Sequence, residues 1–267
     1  MINEKKQSTR RDALKMGVAV ITVAGAVSAS SATSAETKTP FAVKSTYIPI
    51  VDSKDSFPVR RIYCIGRNYA AHSKEMGSDP SREPPFFFQK ASDTVQYCAV
   101  GEVTSHPYPP MTENYHFEAE MVVALKAGGR DIPVEKALDH VYGYAVGLDM
   151  TRRDLQDEAK SLKRPWSVSK SADYSAPISA IHRVEDVGHP KTGAISLSVD
   201  GVVKQNADLK DMIWSVPEQI AILSRYFELA AGDLIFSGTP EGVGAVKRGE
   251  TMSVAIAGIG KIDVKVF

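Results

Sequence analysis

The chain has 267 residues, of which 43% are hydrophobic and 24% charged, and its 32 basic residues balance 32 acidic ones. This composition is that of an ordinary globular protein and excludes disordered and collagen-like chains. A formal net charge of zero gives no electrostatic reason to expect a nucleic-acid partner.

The first 35 residues have the three-part layout of an export signal. Basic residues come first, an apolar run follows over 16–27, and small residues complete the segment. The apolar run is shorter than the roughly 20 residues of a membrane-spanning helix, so no stable membrane anchor is expected. Arg10 and Arg11 resemble the pair of a twin-arginine signal, although Ala13 stands where an aromatic residue is usual. We expect a signal peptide over 1–35 and a periplasmic mature protein; the alternative is a cytoplasmic protein with a basic tail.

The segment 36–56 is polar and contains proline, which predicts an extended lead-in to a single catalytic domain over 57–267. Strands are predicted at 61–65, 86–88 (buried), 117–125, 144–149, 194–203 (with a hairpin turn), 234–237 and the C-terminus. Helices are predicted at 68–76, 134–141, 152–162 and 215–229. Many strands with a few inserted helices indicate an α+β fold dominated by β-structure.

Three local patterns support these elements. Phe117–Leu125 places its apolar residues at alternate positions, on one face of a strand. Asp200-Gly201 between two apolar stretches predicts a tight hairpin turn. Ser215 and Glu218 form a capping-box pattern at the start of a helix.

Two cysteines, Cys64 and Cys98, could pair in an exported chain. Cys64, however, lies in an apolar run that predicts a buried strand. We favour two free, buried thiols.

Glu118 and Glu120 share one face of the predicted strand because they are two residues apart. Two unpaired carboxylates on one face repel each other, and a divalent cation removes that repulsion. Without nearby cysteines or paired histidines, such a site favours a hard ion such as Mg²⁺, with Mn²⁺ or Ca²⁺ as competitors. The alternative is a solvated strand face that carries two ordinary acids.

Asp149 ends the apolar run 144–148, so its carboxylate should be buried beside a partner or a ligand. The alternative is an N-cap for the helix that follows, and both roles can hold at once. His72 and Glu75 are three apart on a predicted helix and therefore share a face. A carboxylate beside an imidazole suits general-base activation of water, although an ordinary surface pair has the same spacing.

Other polar residues are less specific. Arg153, Gln156 and Lys160 line one side of a predicted helix, which by itself is typical of a solvated face. Lys170 follows in a Ser/Val run that predicts a strand. The glycines of 238–244 predict a tight turn where backbone can approach a ligand. The chain shows neither zinc-binding histidine spacing nor the G-x-S-x-G elbow of serine hydrolases.

Four segments, in this order and at this spacing, together resemble the fumarylacetoacetase family. They are Ile65–His72, Phe117–Glu120, Gly147–Gln156 and Ser237–Gly244. The similarity extends from about Phe57 to Phe267, and within the family the chain is most similar to fumarylpyruvate hydrolases and the related acylpyruvases. Three positions depart from the usual family pattern and bear on the choice of substrate: Ala91, Lys163 and Ala172.

The resemblance implies a β-rich fold whose strands roll around a metal site, usually as a homodimer. It implies that Mg²⁺ or Mn²⁺ is bound by Glu118, Glu120 and Asp149. It implies that a water-activating pair on a helix that closes over the substrate is formed by His72 and Glu75. It implies contacts to the substrate or its developing oxyanion from Arg153, Gln156, Lys170 and Thr239, with Lys170 a catalytic group.

The sequence therefore predicts hydrolysis of a carbon–carbon bond in a small 1,3-diketo acid of the acylpyruvate type. A second hypothesis uses the same site without an attacking water, for decarboxylation of oxaloacetate or isomerisation of an unsaturated oxo acid. A third is an exported binding protein that captures oxo acids without turnover. Ligand binding without product would identify it, but the complete His72–Glu75 pair argues against it.

Overall fold

The computed structural model describes residues 39–77 and 83–267. Residues 43–267 form one compact unit. Of the remaining unit, 1–42, only residues 39–42 are described, and they are exposed and outside any helix or strand. The predicted signal peptide, 1–35, lies outside the described residues. No helix in the described ranges is both long and apolar enough to cross a membrane.

The described strands, in chain order, are β1 (Tyr47–Pro49), β2 (Ser56–Pro58), β3 (Ile62–Gly66), β4 (Phe86–Lys90), β5 (Val95–Tyr97), β6 (Val103–His106), β7 (Tyr115–Phe117), β8 (Ala119–Leu125), β9 (Val141–Leu148), β10 (Thr151–Arg152), β11 (Ala176–Ile178), β12 (His182–Arg183), β13 (Ala194–Val199), β14 (Val202–Asp208), β15 (Leu234–Phe236), β16 (Gly244–Ala245), β17 (Thr251–Ile256) and β18 (Gly260–Val266). The described α-helices are α1 (Ala70–Glu75), α2 (Arg153–Ser161), α3 (Ser167–Lys170), α4 (Val184–Val187) and α5 (Val216–Tyr226). Short 3₁₀ helices are Ser92–Thr94, Val134–His140 and Leu209–Asp211.

Two large sheets form the body of the domain. The first is a mixed sheet in the order β4-β3-β15-β8-β9-β11-β5, and β12 also pairs with β9. The second has the order β14-β13-β17-β18-β6. The strands β7, β10 and β16 form a small third sheet, and β1 pairs with β2. This β-rich α+β architecture confirms the predicted fold class.

The main hydrophobic core lies between the two large sheets. Met121 and Val123 of β8 share it with Leu197 of β13, Val254 of β17 and Ile220 of α5. These side chains are 0–1% exposed, so the two sheets pack face to face as a sandwich.

A second core covers the opposite face of the first sheet. Val122 of β8 and Phe236 of β15 pack there with Ile48 of β1 and Phe57 of β2. The end of the predicted lead-in therefore contributes a strand and buried side chains to the domain. Because β8 is buried on both faces, polar side chains on it need partners.

Several local predictions are confirmed. Phe117, Ala119, Met121, Val123 and Leu125 all face the main core. Asp200 has a φ of +46° and Gly201 a φ of +79° in the turn that joins β13 to β14. Ser215 is the N-cap of α5, with the predicted capping box to Glu218. Cys64 and Cys98 are both buried and free.

Two local predictions are wrong, and one alternative does not hold. The segment 86–88 is a strand but not a buried one, because β4 lies at the edge of its sheet and Phe86 is 36% exposed. Lys170 lies at the end of the short helix α3 and not on a strand. Asp149 does not cap α2, whose N-cap is Arg152. Tertiary packing decides all three, and local sequence carries little trace of it.

Candidate active site

Three buried carboxylates lie together where β8 begins and β9 ends. Ala119 pairs with Leu148, and the backbone N–H of Asp149 donates to the carbonyl of Glu118, so the ladder continues one step beyond the strands. Neighbours across antiparallel strands project to the same face. Ligand oxygens of Glu118, Glu120 and Asp149 therefore lie within 4.8 Å of one another. All three residues are at most 5% exposed.

The carboxylates differ in their electrostatic surroundings. Burial alone would raise the pKa of Glu118, but the cations Lys170 and Arg153 outweigh it and hold that pKa below the usual range. Burial and the carboxylates of Asp149 and Glu118 raise the pKa of Glu120 well above its ordinary value. The negative charge of Glu118 is thus balanced by Lys170 and Arg153. The charged form of Glu120 is instead destabilised by burial and by repulsion from the neighbouring carboxylates.

Lys170 occupies a central position in this cluster. Its Nζ lies 2.7 Å from Glu118 Oε2 and 2.7 Å from Asp149 Oδ2. Burial would lower the pKa of Lys170, but Asp149 and Glu118 raise it above its ordinary value. The ammonium group therefore stays charged and can donate hydrogen bonds to an oxyanion.

Arg153 and Gln156 lie on one face of α2, directed into the site. The Arg153 guanidinium donates to Glu118 Oε1 and to Gln156 Oε1. Both residues are buried, with exposures of 5% and 2%. The face of α2 that appears solvated in the sequence is therefore, at these two positions, the wall of the site.

Lys90 is a buried partner of Asp149 that was not among the predicted site residues. Its Nζ lies 2.8 Å from Asp149 Oδ1 and also donates to Ser175 Oγ at 3.1 Å. Lys90 is the last residue of β4, which begins with three phenylalanines. By itself this pattern predicts a surface lysine at the end of an apolar strand. Only the antiparallel packing of the sheet brings it under the carboxylates.

The donor set fits a hard divalent cation. Glu118, Glu120 and Asp149 offer only carboxylate oxygens, which Mg²⁺, Mn²⁺ and Ca²⁺ prefer. A bound cation would also relieve the repulsion that raises the pKa of Glu120.

The predicted water-activating pair forms on α1. His72 Nδ1 lies 3.1 Å from Glu75 Oε2, and His72 is 6% exposed. The backbone N–H of Gly242 donates to both oxygens of Glu75, at 3.1 and 3.2 Å. Burial would raise the pKa of Glu75, but the bonds from His72 and from the Gly242 backbone lower it below its usual value. Glu75 is therefore ionised at neutral pH.

One glycine-rich loop, 238–244, contacts both halves of the site. The N–H of Gly238 donates to Glu120 Oε2 at 2.8 Å, while that of Gly242 holds Glu75. Gly242 has a φ of +88°, and a Cβ there would lie 2.0 Å from the Lys204 carbonyl oxygen. Both constraints require glycine, as predicted for a turn that lets backbone approach a ligand.

Thr239 of this loop is held by Gln205, a residue that sequence reasoning missed. Gln205 lies on β14 in the other large sheet and is fully buried. Its Nε2 donates to Thr239 Oγ1 and to the Pro240 carbonyl, each at 2.8 Å, and its Oε1 accepts from Ala119 N–H at 3.0 Å. Because Thr239 Oγ1 accepts this bond, its own hydrogen is free to point into the site.

We expect Gln205→Met to lower the free energy of unfolding by about 1–3 kcal/mol, because it leaves the buried Ala119 N–H without an acceptor. Urea denaturation measures this loss. The Thr239→Val variant is the matched control, since it keeps the Gln205–Ala119 bond and should destabilise the protein less. Equal losses in the two variants would show that Gln205 acts only through Thr239.

Every predicted site residue except Glu75 lines a single pocket, and Glu75 contacts it through His72. The pocket brings together residues from six separate parts of the chain. Its remaining walls include three aromatic rings and two further cations: Phe86, Phe88, Trp166, Arg67 and Lys160. A small polar molecule with a flat apolar part fits such a lining.

Comparison with known proteins gives one family. Residues 61–267 match the family model described as fumarylacetoacetate (FAA) hydrolase C-terminal. A fumarylpyruvate hydrolase of Pseudomonas aeruginosa, solved with Mn²⁺ and pyruvate, is 54% identical with a TM-score of 0.85, and the match covers 86% of this chain and 99% of that one. A fumarylpyruvate hydrolase of a Ralstonia species is 42% identical over 70% of this chain and 95% of its own length. A mitochondrial oxaloacetate tautomerase of Arabidopsis thaliana is 39% identical over 77% and 90%, respectively. The chain belongs to the fumarylacetoacetate hydrolase family.

Proposed function

We propose that this protein is a divalent-metal-dependent hydrolase that cleaves a carbon–carbon bond of a 1,3-diketo acid of the acylpyruvate type, such as fumarylpyruvate. The observation that carries the proposal is the meeting of two sites at one pocket. A carboxylate trio suited to a cation lies there with a histidine–glutamate pair suited to activating water. The similarity to a fumarylpyruvate hydrolase solved with Mn²⁺ and pyruvate supports the substrate class.

Glu118, Glu120 and Asp149 would hold the metal, with Mg²⁺ or Mn²⁺ the expected ion and Ca²⁺ a competitor. When bound, the cation supplies Lewis-acid polarisation of the 2-oxo acid end of the substrate. Thr239, held by Gln205, offers its hydroxyl hydrogen to the substrate carboxylate. These groups fix the oxo acid at one end of the pocket.

Glu75 and His72 activate the attacking water. The contact between His72 Nδ1 and Glu75 fixes the ring and leaves Nε2 for a water molecule. As the pair accepts a proton from the water, the water oxygen attacks the carbonyl carbon farther from the 2-oxo acid end of the substrate. Lys170, Arg153 and Gln156 then donate to the developing oxyanion, at a few kcal/mol per donor in other enzymes.

Collapse of the adduct breaks the carbon–carbon bond. The electron pair of that bond moves into the pyruvate fragment as an enolate, and the acyl fragment leaves as a carboxylic acid. The enolate then takes up a proton and becomes pyruvate. The products predicted for fumarylpyruvate are therefore fumarate and pyruvate in equal amounts.

The direct test is to incubate the purified protein with Mn²⁺ or Mg²⁺ and a panel of acylpyruvates, and to quantify both products. Equimolar pyruvate and carboxylic acid that disappear on chelation would support the proposal. Tight binding of an acylpyruvate without any product would instead identify a binding protein.

A second candidate is keto–enol interconversion of oxaloacetate, favoured by the 39% identity to an oxaloacetate tautomerase. It uses the same oxo-acid end of the pocket but needs no attacking water. Oxaloacetate assayed beside the acylpyruvates separates the two, because tautomerisation releases neither pyruvate nor carbon dioxide. Carbon dioxide would indicate decarboxylation instead.

We also propose that the enzyme is a homodimer. The support is the resemblance to the family together with exposed aromatic side chains near the edge strand β4, where Phe86 is 36% exposed and Tyr226 63% exposed. Exposed apolar strand edges are usually covered in soluble proteins. Analytical ultracentrifugation of the mature protein would decide between monomer and dimer.

We propose further that the enzyme is exported to the periplasm by the twin-arginine route, as Arg10, Arg11 and the following apolar run suggest. Cell fractionation should then find a mature form whose N-terminus is near Glu36. Changing both arginines to lysine should leave uncleaved protein in the cytoplasm. The matched control, in which Lys5 and Lys6 become arginine, should be exported normally. Normal export of the Arg10/Arg11 variant would exclude this route.

A further inference from the structure

Two cationic side chains at the proposed active site, Arg67 and Lys160, have no role in the reaction described so far. Both line the same pocket as the carboxylate trio. Inside the site, Glu118 and Asp149 are already faced by Arg153, Lys170 and Lys90. Arg67 and Lys160 therefore add positive charge that the inner carboxylates do not require.

The backbone fixes the position of Arg67. It has a φ of +57°, a conformation uncommon for residues other than glycine. The next residue, Asn68, is fully buried, and its Nδ2 donates to the Trp214 and Ser237 carbonyls at 2.9 and 2.8 Å. The strained residue is thus held between β3 and α1 by bonds to distant segments, and its side chain begins at a defined point on the pocket wall.

The guanidinium of Arg67 lies over the ring of Phe86, with 5.6 Å between Cζ and the ring centroid. Among the described residues, no carboxylate lies within 4 Å of it. Glu83 lines a neighbouring depression with Arg67 but forms no ion pair with it. Stacking on an aromatic ring orients the guanidinium while leaving its N–H donors for a ligand.

Lys160 stands over the second aromatic wall, with its Nζ 5.7 Å from the centroid of Trp166. Its described acidic partner is Asp157 at 3.2 Å, a pair near the surface whose carboxylate is 60% exposed. Such pairs are weak, so Lys160 can exchange this partner for a ligand. Burial lowers the pKa of Lys160, and the cations Arg153 and Arg67 lower it further against the effect of Asp157. The side chains of Arg67, Arg153 and Lys160 therefore lie close together in the pocket.

The pocket thus has an order along its length. Lys170, beside the carboxylate trio, has its Nζ 5.0 Å from the ring centroid of Phe88. Phe88 and Phe86 both contact Trp166, and the extra cations stand over the rings of Phe86 and Trp166. A ligand that matches this order has a 2-oxo acid at one end, a flat apolar middle and an anion at the other end.

We propose that Arg67 and Lys160 form a subsite for the distal carboxylate of the substrate, so that the enzyme selects dicarboxylic acylpyruvates over those whose acyl group ends in a methyl group. This inference rests on the proposed function and names its substrate class. Each side chain provides several N–H donors, and a carboxylate can accept from both at once.

The test compares a dicarboxylic with a monocarboxylic substrate, fumarylpyruvate with acetylpyruvate. In the Mn²⁺-loaded enzyme, Arg67→Met and Lys160→Met should each lower kcat/KM for fumarylpyruvate about tenfold to hundredfold, as expected for loss of a hydrogen bond between charged groups. For acetylpyruvate the same variants should change kcat/KM by less than about threefold, because no distal carboxylate is present. Lys126→Met, which removes an exposed lysine just beyond the far end of β8, is the control and should affect neither substrate.

Equal losses on both substrates would overturn the proposal, since they would show that the two side chains only maintain the structure. Unchanged kcat/KM for fumarylpyruvate would overturn it as well.

Binding tests the subsite independently of turnover. Calorimetry on the Mn²⁺-loaded protein should show that 2-oxoadipate binds at least about tenfold more tightly than 2-oxohexanoate, which has the same chain length but ends in a methyl group. Arg67→Met should remove that preference. If the wild-type protein cleaves no acylpyruvate yet shows this preference, the proposed reaction fails while the subsite stands. If it cleaves acylpyruvates without any such preference, the subsite fails alone.

Discussion

Replacing any one of the three clustered carboxylates is expected to abolish metal-dependent turnover. The variants are Glu118→Gln, Glu120→Gln and Asp149→Asn, each of which removes one charged ligand from a set of three. Lewis-acid polarisation contributes several kcal/mol to such reactions, so the rate should fall by at least about 10³-fold. Calorimetric titration with Mg²⁺ and Mn²⁺ should show weakened binding in all three.

The three variants should differ in stability, and this difference tests the electrostatics of the site. Glu120→Gln removes a carboxylate whose pKa burial and its acidic neighbours raise, so the metal-free protein should keep or gain stability. Glu118→Gln strips Arg153 and Lys170 of a buried partner and should cost about 3–5 kcal/mol. Thermal unfolding without metal measures both.

Glu158→Gln is the control for the carboxylate variants, because its side chain is 59% exposed and its one ion pair within the described residues is with Arg164, at 3.8 Å. It should leave both metal binding and stability unchanged. Unaltered Mg²⁺ binding in all three site variants would show that the cation, if any, is held elsewhere.

Loss of the water-activating pair is expected to have the second-largest effect. His72→Ala and Glu75→Ala should reduce acylpyruvate hydrolysis by about 10²–10⁴-fold, the usual contribution of general-base catalysis. Neither residue belongs to the carboxylate trio, so Mg²⁺ binding and oxo-acid binding should persist. Any decarboxylation of oxaloacetate should fall less, because it needs no attacking water.

Rates at saturating substrate separate a lost base from weakened binding. Lys74→Ala on the same helix is the matched control, since its side chain is exposed and not part of the pair. It should hydrolyse acylpyruvates at the wild-type rate. If His72→Ala and Glu75→Ala do so as well, the pair is an ordinary surface contact and the mechanism is wrong.

The central part of the site could be predicted because short-range rules determine it. Alternation along 117–125 is enough to place Glu118 and Glu120 on the face opposite the main core. An apolar run ending in Asp149 predicts a carboxylate at a buried strand end, and a spacing of three joins His72 to Glu75. That the two groups of residues meet in one pocket follows from the family resemblance, not from local pattern.

The supporting residues could not be predicted because they depend on strand order. Gln205 reaches Ala119 and Thr239 only because β14 packs near the start of β8, far away in sequence. Lys90, opposite Ile62 in the pairing of β4 with β3, is buried where its Nζ donates to the Met150 carbonyl of a distant segment. The opposite error concerns Phe86, which composition alone assigns to the interior and which the edge of the sheet leaves partly exposed.

The two cysteines have a consequence for where this fold can operate. Burial raises the pKa of Cys64 well above its ordinary value and that of Cys98 to about 11. Oxidants and disulfide exchange act on the thiolate, and neither buried thiol supplies an appreciable fraction of it at neutral pH. Both cysteines are free, and neither offers a reactive thiol to an oxidising environment. The two thiols therefore place no requirement on the redox state of the compartment in which the domain operates.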